Sequence, residues 1–492
     1  MGYSDKIKQK RSSKSSFKVP KGILIALVCL EIVLAIVLFL FLKGKGILPN
    51  QAWGLYIGIL AGLIALGFIS LIRKWSTVVM MIITGAVCAA LVFGLSFSGS
   101  MIKSVEKVTA QGQSTVSTMQ VAVLKSSDIE SIEQLTGEQV GYVAGEGNQE
   151  ISKVQSDIDS KVMGVSYTPK NGVTTLADAL YDRDVTAIIF NESYDNVLKD
   201  TEGYTNFSDD IRVIYSVDVE HLIPGTNNTD KTDMDVFTLY LSGIDTFGDT
   251  MKTSRSDVNV LAVVNMKTKH IVLINTPRDY YIPLSISDGE PDKLTHAGIY
   301  GVDVSMDTLE MLYDTDIDYY LRMNFSGFEK IIDTLGGIDV DSDYEFTSTL
   351  NPKYEYKEGT NHLNGEAALF FARERHAFLE GDNQRGRNHM AVIKAVVEKL
   401  TSSPELLTNY QAIFGSLAGA FQTSMPEELI YKMVNLQISD SSEWTIDSYA
   451  VSGEGDTRAT YTHPNDYTYV TMPDKDTVFE ARDMINDVLK EK

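Results

Sequence analysis

Cysteine is nearly absent from this sequence: its 492 residues include only two, Cys29 and Cys88. Both lie inside apolar runs, so we expect no disulfide framework in any part of the chain. A chain of this length without covalent cross-links has room for two or three domains, and each must be stabilised by its own hydrophobic core.

Positive charge is scarce after the first hundred residues. Residues 1–100 contain eleven lysines and arginines and two acidic residues, whereas residues 101–492 contain 32 basic and 64 acidic residues. Binding of nucleic acid depends on neutralising backbone phosphates, and a body with this excess of carboxylates repels them. We therefore expect no nucleic-acid partner.

Long apolar runs occur near the N-terminus, and each has about 20 residues, the length that a helix needs to cross a bilayer. The three runs are residues 22–42, 52–72 and 77–97. The preceding tail, residues 1–21, is basic, and Arg73 and Lys74 follow the second run, so both regions are expected in the cytoplasm. The pattern predicts a multi-pass protein of the cell membrane, with three transmembrane helices within residues 22–100 and everything after about residue 100 outside the cell.

Residues 104–220 alternate strand-like and helix-like patterns, which predicts a small α/β accessory domain. Strands are predicted over 119–124, 139–143, 187–190 and 211–216, and helices over 128–135 and 173–181. We see no catalytic spacing in this part of the sequence and interpret it as a spacer or as a docking module for a partner. Residues 221–234, which contain Pro224-Gly225, have the composition of a linker.

Residues 235–492 are predicted to form one larger α/β domain. Strands are predicted over 237–242, 258–265, 271–275, 444–451 and 467–472, and helices over 307–313, 326–335 and 477–489. The pair Gly336-Gly337 is a typical stop signal for the helix that precedes it.

An arginine-rich stretch, residues 370–389, stands out in this acidic domain. It holds four arginines, Arg373, Arg375, Arg385 and Arg387. The first helix is predicted to end near Arg373, and an extended backbone after it would turn Arg373 and Arg375 to the same side. Asp382 is predicted to cap a second helix, on which Arg385 and His389 lie one turn apart. Guanidinium groups beside a helix start favour a phosphate or diphosphate ligand. In the alternative interpretation the arginines form a solvated face paired with Glu374, Glu380 and Asp382.

Two aspartates, Asp245 and Asp257, lie at the boundaries of predicted strands, a usual position for functional residues in α/β sheets. Two carboxylates with open positions suit Mg²⁺ or Mn²⁺, which take phosphate oxygens and water as further ligands. Arg278 follows another strand and is suited to neutralise charge on a leaving phosphate. Structural roles stay open, with Asp245 as a turn cap and Asp257 as a partner of Arg255.

Several segments, in this order, resemble the LytR-CpsA-Psr family. They read GIDTFGD, RSDVNVLAVVNMKTKHIVLINTPRDYYI, KLTHAGIYG, YYLRMNFSGFEKIIDTLGGIDVD, HLNGEAALFFARERH and GDNQRGRNH. The resemblance covers about residues 235–400, and the remainder to residue 492 is compatible with it. Three spans and an added α/β module are similar to the CpsA-type members that are associated with streptococcal capsule loci.

The resemblance implies a catalytic domain with a central mixed sheet flanked by helices. It further implies an Mg²⁺-dependent phosphotransferase that attaches a capsular or teichoic-acid-like glycopolymer to peptidoglycan outside the membrane. The implied partners are an undecaprenyl-diphosphate-linked glycan, peptidoglycan, the membrane and capsule-assembly membrane proteins. Two alternatives stay open: a lipid diphosphate hydrolase, and a non-catalytic membrane regulator of capsule assembly.

The same resemblance implies residue roles. Asp245 and Asp257 correspond to metal-associated aspartates, and Asp382 is a candidate catalytic base beside the arginines. The diphosphate-binding residues of the family correspond here to Arg278, Arg373, Arg375, Arg385 and His389. His389 stands where the family usually has glutamine, and its capacity to donate to a phosphate depends on its protonation. Arg387 has no counterpart in the family and is interpreted as structural.

Overall fold

A computed structural model describes most of the chain. It describes residues 21–44, 50–72, 77–145, 148–223, 234–244, 246, 250–403, 406 and 410–491. Nearly all of the basic tail, most of the expected linker (224–233) and the predicted metal ligand Asp245 lie outside these ranges. The chain divides into two compact units, Met1–Ser100 and Met101–Lys492.

The first unit is built from three helices. They are α1 (Lys21–Gly44), α2 (Asn50–Ile72) and α3 (Thr77–Ala110), the last of which continues beyond residue 100. Among the described residues, Gly22–Gly44 and Val78–Ser96 are long and apolar enough to cross a bilayer. The third apolar stretch, Trp53–Leu66, is shorter than the roughly 20 residues that a span requires. Three spans are therefore not confirmed.

The second unit begins with a five-stranded sheet in the order β3-β2-β4-β1-β5. Its strands are β1 (Ser114–Leu124), β2 (Gln139–Val143), β3 (Ser166–Lys170), β4 (Ala187–Asn191) and β5 (Ile211–Leu222). Its helices are α4 (Asn148–Asp159), α5 (Val173–Tyr181), α6 (Tyr194–Lys199) and α7 (Phe207–Asp210). β2 runs parallel to β3 and β4, and β1 runs antiparallel to β4 and β5. We call residues 114–222 the N-terminal module.

The prediction of one helix in this module is wrong. In place of a helix over 128–135, a single 3₁₀ turn covers Ile132–Gln134. The Gln134 side chain accepts hydrogen bonds from the backbone N–H groups of Glu130 and Ser131, at 2.6 and 3.1 Å. A left-handed Gly137 (φ 76°) then turns the chain into β2, so the helical pattern has no room to continue.

A larger sheet of six strands, in the order β16-β11-β6-β7-β8-β17, lies at the centre of the remaining chain. The strands, with those of the smaller sheets, are β6 (Val236–Ile244), β7 (Ser256–Asn265), β8 (His270–Asn275), β9 (Tyr281–Pro283), β10 (Pro291–Lys293), β11 (Tyr319–Met323), β12 (Ile338–Ser342), β13 (Phe346–Thr347), β14 (Glu355–Tyr356), β15 (Gly359–Leu363), β16 (Phe421–Thr423), β17 (Thr445–Ala450), β18 (Gly453–Arg458) and β19 (Thr468–Pro473). β6 is parallel to β11 and β8 is parallel to β17, whereas the other neighbours are antiparallel. The mixed sheet is confirmed.

Helices cover both faces of this sheet. They are α8 (Leu294–Tyr300), α9 (Val302–Tyr313), α10 (Phe325–Thr334), α11 (Gly365–Arg373), α12 (Asp382–Ser402), α13 (Tyr410–Ser416), α14 (Glu427–Ser439) and α15 (Lys475–Lys490). Alternate side chains of β7 enter two different cores: Leu261 and Val263 pack with α9 and α15, and Val260 and Val264 pack with α12 and α14. A strand buried on both faces has this near-continuous apolar sequence because each face needs its own core.

Candidate functional site

A cavity of about 330 Å³ opens where β6, β7 and β11 meet the start of α10, the end of α11 and the start of α12. Its charged and imidazole side chains are Asp200, Arg255, Asp257, Arg278, Arg373, Arg375, His376, Arg385 and His389. Six residues predicted from the sequence to bind diphosphate or metal therefore line one cavity. Asp245 lies outside the described residues, and Asp382 is not one of the described residues that line the cavity.

Asp257 and Arg278 form the centre of the site. Asp257 is the second residue of β7, and Arg278 follows the end of β8, the next strand of the sheet. Nη1 of Arg278 donates to both carboxylate oxygens of Asp257 at 2.9 Å, and the Thr295 hydroxyl lies 3.3 Å from one of them. Burial alone would raise the pKa of Asp257, but Arg278, Arg385 and Arg255 outweigh it and lower that pKa. The carboxylate is therefore ionised.

The extended backbone predicted after α11 is present. Glu374 follows the helix with φ −69° and ψ 132°, so Arg373 and Arg375 both reach the cavity. The Glu374 side chain is fully buried and accepts from the Ser348 hydroxyl (3.0 Å) and from the Thr349 N–H (2.6 Å) and hydroxyl (2.8 Å). Glu374 thus fixes the loop between the two arginines. Of the alternative in which the arginines pair with Glu374, Glu380 and Asp382, the pairing with Glu374 does not fit these contacts. The other two pairs are present, between Arg387 and Glu380 and between Arg385 and Asp382.

Arg373 is held by an aromatic ring. Its guanidinium lies 4.3 Å from the ring centroid of Phe325, a cation–π contact that keeps the donors at the rim of the plane open to a ligand. Phe325 begins α10, whose N-cap Asn324 accepts from the Gly327 N–H at 2.8 Å. The Arg373 head group therefore packs on the first residue of a capped helix.

The second helix of the arginine stretch begins differently from the prediction. Gly381 (φ 50°) is the N-cap of α12, whereas Asp382 is already helical and makes no capping hydrogen bond. The left-handed backbone just before the helix favours glycine over aspartate, and the Asp382 carboxylate instead pairs with Arg385 one turn later. Arg385 and His389 do lie one turn apart on α12, as predicted.

Gly386 allows α12 to approach the end of β8 closely. A Cβ atom at this position would lie 2.3 Å from Nδ2 of Asn275, so any larger residue would require the Asn275 side chain to move. The contact brings the start of α12, with Arg385, beside the segment that leads to Arg278. The only signal for this packing in the sequence is a glycine within the first two turns of a helix.

The Arg387 side chain contacts residues that do not line the cavity. It forms an ion pair with Glu380, and its Nε donates to Oε1 of Gln384 at 2.8 Å. It is not one of the described residues that line the cavity. These contacts fit the structural interpretation of Arg387.

Three charged or imidazole residues of the cavity were not assigned from the sequence as site residues: Arg255, Asp200 and His376, which follows Arg375 in the arginine stretch. Arg255 immediately precedes β7, and its i, i+2 spacing from Asp257 in extended chain is the signal that could have indicated a shared side. Asp200 belongs to the N-terminal module, directly after α6. No local pattern connects residue 200 with the arginine stretch, because the contact depends on tertiary packing alone.

His389 is buried and uncharged in this setting. Burial, with the nearby Arg385, lowers its pKa to about 3. The imidazole is therefore neutral at physiological pH, and its charge does not vary near pH 7. A neutral imidazole can donate one hydrogen bond, as a glutamine amide can.

This lowered pKa predicts a loss of stability in acid. The unfolded chain takes up a proton at His389 as pH falls below about 6.5, whereas the folded chain does so only near 3, so the free energy of unfolding falls by about 1.4 kcal/mol per pH unit between these values. We expect His389→Gln to remove this dependence. The melting temperature of the full chain in detergent, measured from pH 7 to pH 4.5, should fall less steeply for the variant. Equal slopes for the variant and the wild type would contradict the assignment.

The chemistry of the cavity fits a divalent cation that is bound together with a phosphate ligand. Among the described residues no group of three or more histidine, cysteine or acidic side chains is placed to hold a metal by itself. The cavity does present the ionised carboxylate of Asp257, and Mg²⁺ commonly takes one or two carboxylates together with substrate phosphates. Of the two aspartates predicted as metal ligands, Asp257 is the one that the structure describes.

Comparisons with known proteins show which family the chain belongs to. The polyisoprenyl-teichoic acid–peptidoglycan teichoic acid transferase TagU of Bacillus cereus is 30% identical over 210 residues, 42% of this chain and 67% of the relative. The TagU of Enterococcus faecalis is 31% identical over 191 residues, 38% of this chain and 61% of the relative. The crystal structure of B. subtilis TagV aligns at 24% identity and a TM-score of 0.45, covering 53% of this chain and 100% of TagV. Residues 210–481, more than half of the chain, match the LytR_cpsA_psr family, and the chain therefore belongs to that family.

Proposed function

We propose that this protein is a phosphotransferase that moves a glycopolymer from a polyprenyl diphosphate carrier to peptidoglycan. One observation carries the proposal: five guanidinium groups face a single cavity whose remaining wall is largely apolar. The apolar lining is formed by Leu241, Ile244, Val258, Met323, Phe325, Phe328, Leu350, Leu369, Ala372, Val392 and Ile393. A ligand with a doubly charged diphosphate joined to a hydrocarbon tail has the matching chemistry. The names of the TagU relatives describe the same class of reaction.

The guanidinium groups account for binding and charge stabilisation. Arg373 and Arg375, on either side of Glu374 in the chain, would donate hydrogen bonds to the diphosphate oxygens. Arg385 and the neutral His389 would be further donors. Arg278, which is held against Asp257, would neutralise charge on the departing phosphate. In this arrangement the protein contributes orientation and preorganised positive charge rather than a covalent intermediate.

The proposed step balances as a phosphoryl transfer. A hydroxyl oxygen of a peptidoglycan sugar attacks the phosphorus nearer to the glycan, and the bond from this phosphorus to the bridging oxygen breaks. Polyprenyl phosphate leaves with that oxygen, the hydroxyl proton is released to solvent, and a phosphodiester joins the glycan to peptidoglycan. For Asp382, the candidate base, we propose a positioning role instead, because its carboxylate pairs with Arg385.

We propose that Mg²⁺ is the cofactor, with Mn²⁺ as a substitute. The support is the ionised Asp257 at the centre of the arginines, and the ion would supply charge neutralisation of the diphosphate oxygens. Transfer by the full chain in detergent should stop on addition of EDTA and return with Mg²⁺ or Mn²⁺. Undiminished transfer in EDTA would contradict the proposal.

We also propose a CpsA-type arrangement in the cell membrane, with three spans, a cytoplasmic N-terminus and the second unit outside. The basic tail, the apolar segments and an extracellular acceptor support it. In intact cells, a membrane-impermeant maleimide should label Asp184→Cys and leave Ser12→Cys unlabelled, in a background without Cys29 and Cys88. The reverse labelling would contradict this orientation. Capsular polysaccharide and teichoic-acid-like polymers both fit the proposed donor.

Acceptor dependence tests the transferase against its alternatives. The full chain is incubated with a polyprenyl-diphosphate-linked glycan, with and without peptidoglycan oligomers, and the products are identified by mass spectrometry. A transferase gives a glycan–peptidoglycan phosphodiester that requires the acceptor. Free phosphorylated glycan in equal amount without the acceptor would indicate a hydrolase. Lipid binding without any turnover would favour a membrane regulator.

A further inference from the structure

Thr295 contacts both members of the pair at the centre of the cavity. Its backbone N–H donates to the carbonyl oxygen of Arg278 at 2.8 Å, and its hydroxyl donates to Oδ1 of Asp257 at 3.3 Å. Thr295 is only 2% exposed and is not one of the described residues that line the cavity. Any effect of Thr295 on a ligand therefore passes through Asp257 and Arg278.

The helix that carries Thr295, α8, packs closely on the start of β7. The N–H of Ser254 donates to the carbonyl oxygen of Gly298 at 3.3 Å. A Cβ atom on Gly298 would lie 2.5 Å from the Ser254 oxygen and 2.9 Å from the Ser256 nitrogen. Both are backbone atoms, which cannot swing aside as the end of a side chain can, so this approach requires glycine. The contact brings Thr295, one turn before Gly298, beside Asp257.

A buried carboxylate holds the residues that flank Thr295. Asp292, which is fully buried, accepts from the Lys293 N–H at 2.7 Å and from the Nδ1–H of His296 at 2.7 Å. The N–H and the hydroxyl of Thr462 donate to its other oxygen, the N–H at 3.0 Å. Because Lys293 precedes Thr295 and His296 follows it, the backbone of Thr295 is held from both directions.

The hydrogen bonds to Asp257 treat its two carboxylate oxygens differently. Nη1 of Arg278 lies 2.9 Å from both oxygens, in the position between them that a bidentate cation would need. An ionised carboxylate has about two acceptor sites on each oxygen. Arg278 and Thr295 together occupy those of Oδ1, whereas Arg278 is the only donor to Oδ2 in the part of the chain that the structure describes. Oδ2 is therefore the oxygen with capacity for a further partner.

We propose that Thr295 is a positioning residue, which keeps Oδ1 of Asp257 occupied and so directs Oδ2 to the divalent cation of the site. This inference rests on the proposed function, since the cation belongs to the proposed phosphotransferase. Mg²⁺ commonly takes one or two carboxylates and keeps water and phosphate oxygens as its other ligands, so contact through a single oxygen suits it. Hydrogen bonds to a metal ligand fix its orientation, and their loss typically weakens metal binding about 10- to 100-fold. Loss of the Thr295 hydroxyl should therefore weaken cation binding although no ligand is removed.

The test is the affinity of the full chain in detergent for Mn²⁺ alone, measured from the EPR signal of the free ion. We expect Thr295→Val, which replaces the hydroxyl by a methyl group of similar size, to raise the Kd of Mn²⁺ about ten-fold. Thr295→Ser, which keeps the hydroxyl, should stay within about three-fold of the wild type. The matched control is Thr308→Val, because Thr308 is 1% exposed and its hydroxyl donates to Val304 O in α9. It should leave the Kd within about two-fold of the wild type, since its hydroxyl bonds to backbone and not to a metal ligand.

The transfer assay gives a second measurement. In Thr295→Val the Mg²⁺ concentration for half-maximal transfer should rise by the same factor as the Kd of Mn²⁺, with the KM for the glycan donor within about two-fold of the wild type. A merely structural role would lower the melting temperature without changing the metal dependence of the folded protein. If Thr295→Val does not fold, Thr295→Ala also removes the hydroxyl and should raise the Kd at least as much.

Each outcome decides the inference. An unchanged Kd in the folded Thr295→Val or Thr295→Ala variant overturns it, and so does equal weakening by Thr295→Ser or by Thr308→Val. In each of these cases transfer by the wild type leaves the proposed function intact. A wild type that transfers glycan but does not bind Mn²⁺ overturns this inference alone. A wild type that does neither overturns the inference and the proposed function together.

Discussion

Arg278→Gln is expected to lower the turnover of glycopolymer transfer by a factor of about 10³, the range found when a preorganised charge is removed from a phosphoryl-transfer site. Two features make the effect large. Arg278 is held by two hydrogen bonds to Asp257 at 2.9 Å, so its guanidinium needs no reorganisation during the reaction. It also lies among buried groups, where charge is screened less than in water. The turnover of the full chain at saturating donor measures the effect.

The effect of Arg278→Gln on stability must be separated from its effect on turnover. Arg278→Gln leaves the Asp257 carboxylate buried without its closest partner, which can cost about 3–5 kcal/mol. The double variant Arg278→Gln/Asp257→Asn removes that unpaired charge and should recover much of the melting temperature without recovering turnover. Arg458→Gln, at an exposed pair with Asp456, is the matched arginine control and should retain activity. A loss below ten-fold in Arg278→Gln would contradict the assigned role.

Replacing Arg373 and Arg375 together by glutamine is expected to raise the Kd of the diphosphate-linked donor at least roughly 100-fold. Each charge-assisted hydrogen bond contributes about 1.5–3 kcal/mol, and two arginines are lost. Binding should weaken more than turnover at saturation, because these two groups hold the diphosphate in the ground state as well as in the transition state. Titration of the donor into the full chain gives the Kd.

Arg387→Gln is the matched control for this pair, because it removes the same charge from the same stretch. Arg387 pairs with Glu380 and Gln384 instead of lining the cavity. Its replacement should change donor affinity by no more than about two-fold. Similar weakening by Arg387→Gln and by the Arg373/Arg375 variant would show a general effect of net charge and would contradict a specific binding role.

Local patterns predicted the parts of the site that depend on neighbouring residues. The end of α11 at Arg373 and the extended Glu374 follow from helix propensity and from the alternation of side chains in extended backbone. The apolar sequences of β7 and β8 predicted buried strands, and Gly336-Gly337 marked the end of α10, where both glycines have positive φ (75° and 88°).

Contacts between distant segments could not be predicted from the sequence. The contact of Gly386 with Asn275 and the pairing of Arg255 with Asp200 join residues that lie far apart in the chain. The predicted start of α12 was wrong for a local reason. Gly381, rather than Asp382, is the N-cap, because it has a positive φ that aspartate disfavours. Asp382 lies inside the helix and pairs with Arg385. The prediction of three membrane spans is not confirmed, because the described apolar part of α2, Trp53–Leu66, is shorter than a span requires.

The most direct test of the transferase follows one phosphorus atom. A donor is prepared with ³²P at the phosphorus attached to the glycan, and the full chain in detergent is supplied with this donor, Mg²⁺ and peptidoglycan oligomers. The account predicts that the label appears in a phosphodiester on peptidoglycan, and that Arg278→Gln abolishes this product. Label recovered only in free phosphorylated glycan, or retained on the lipid while the glycan moves, would contradict it.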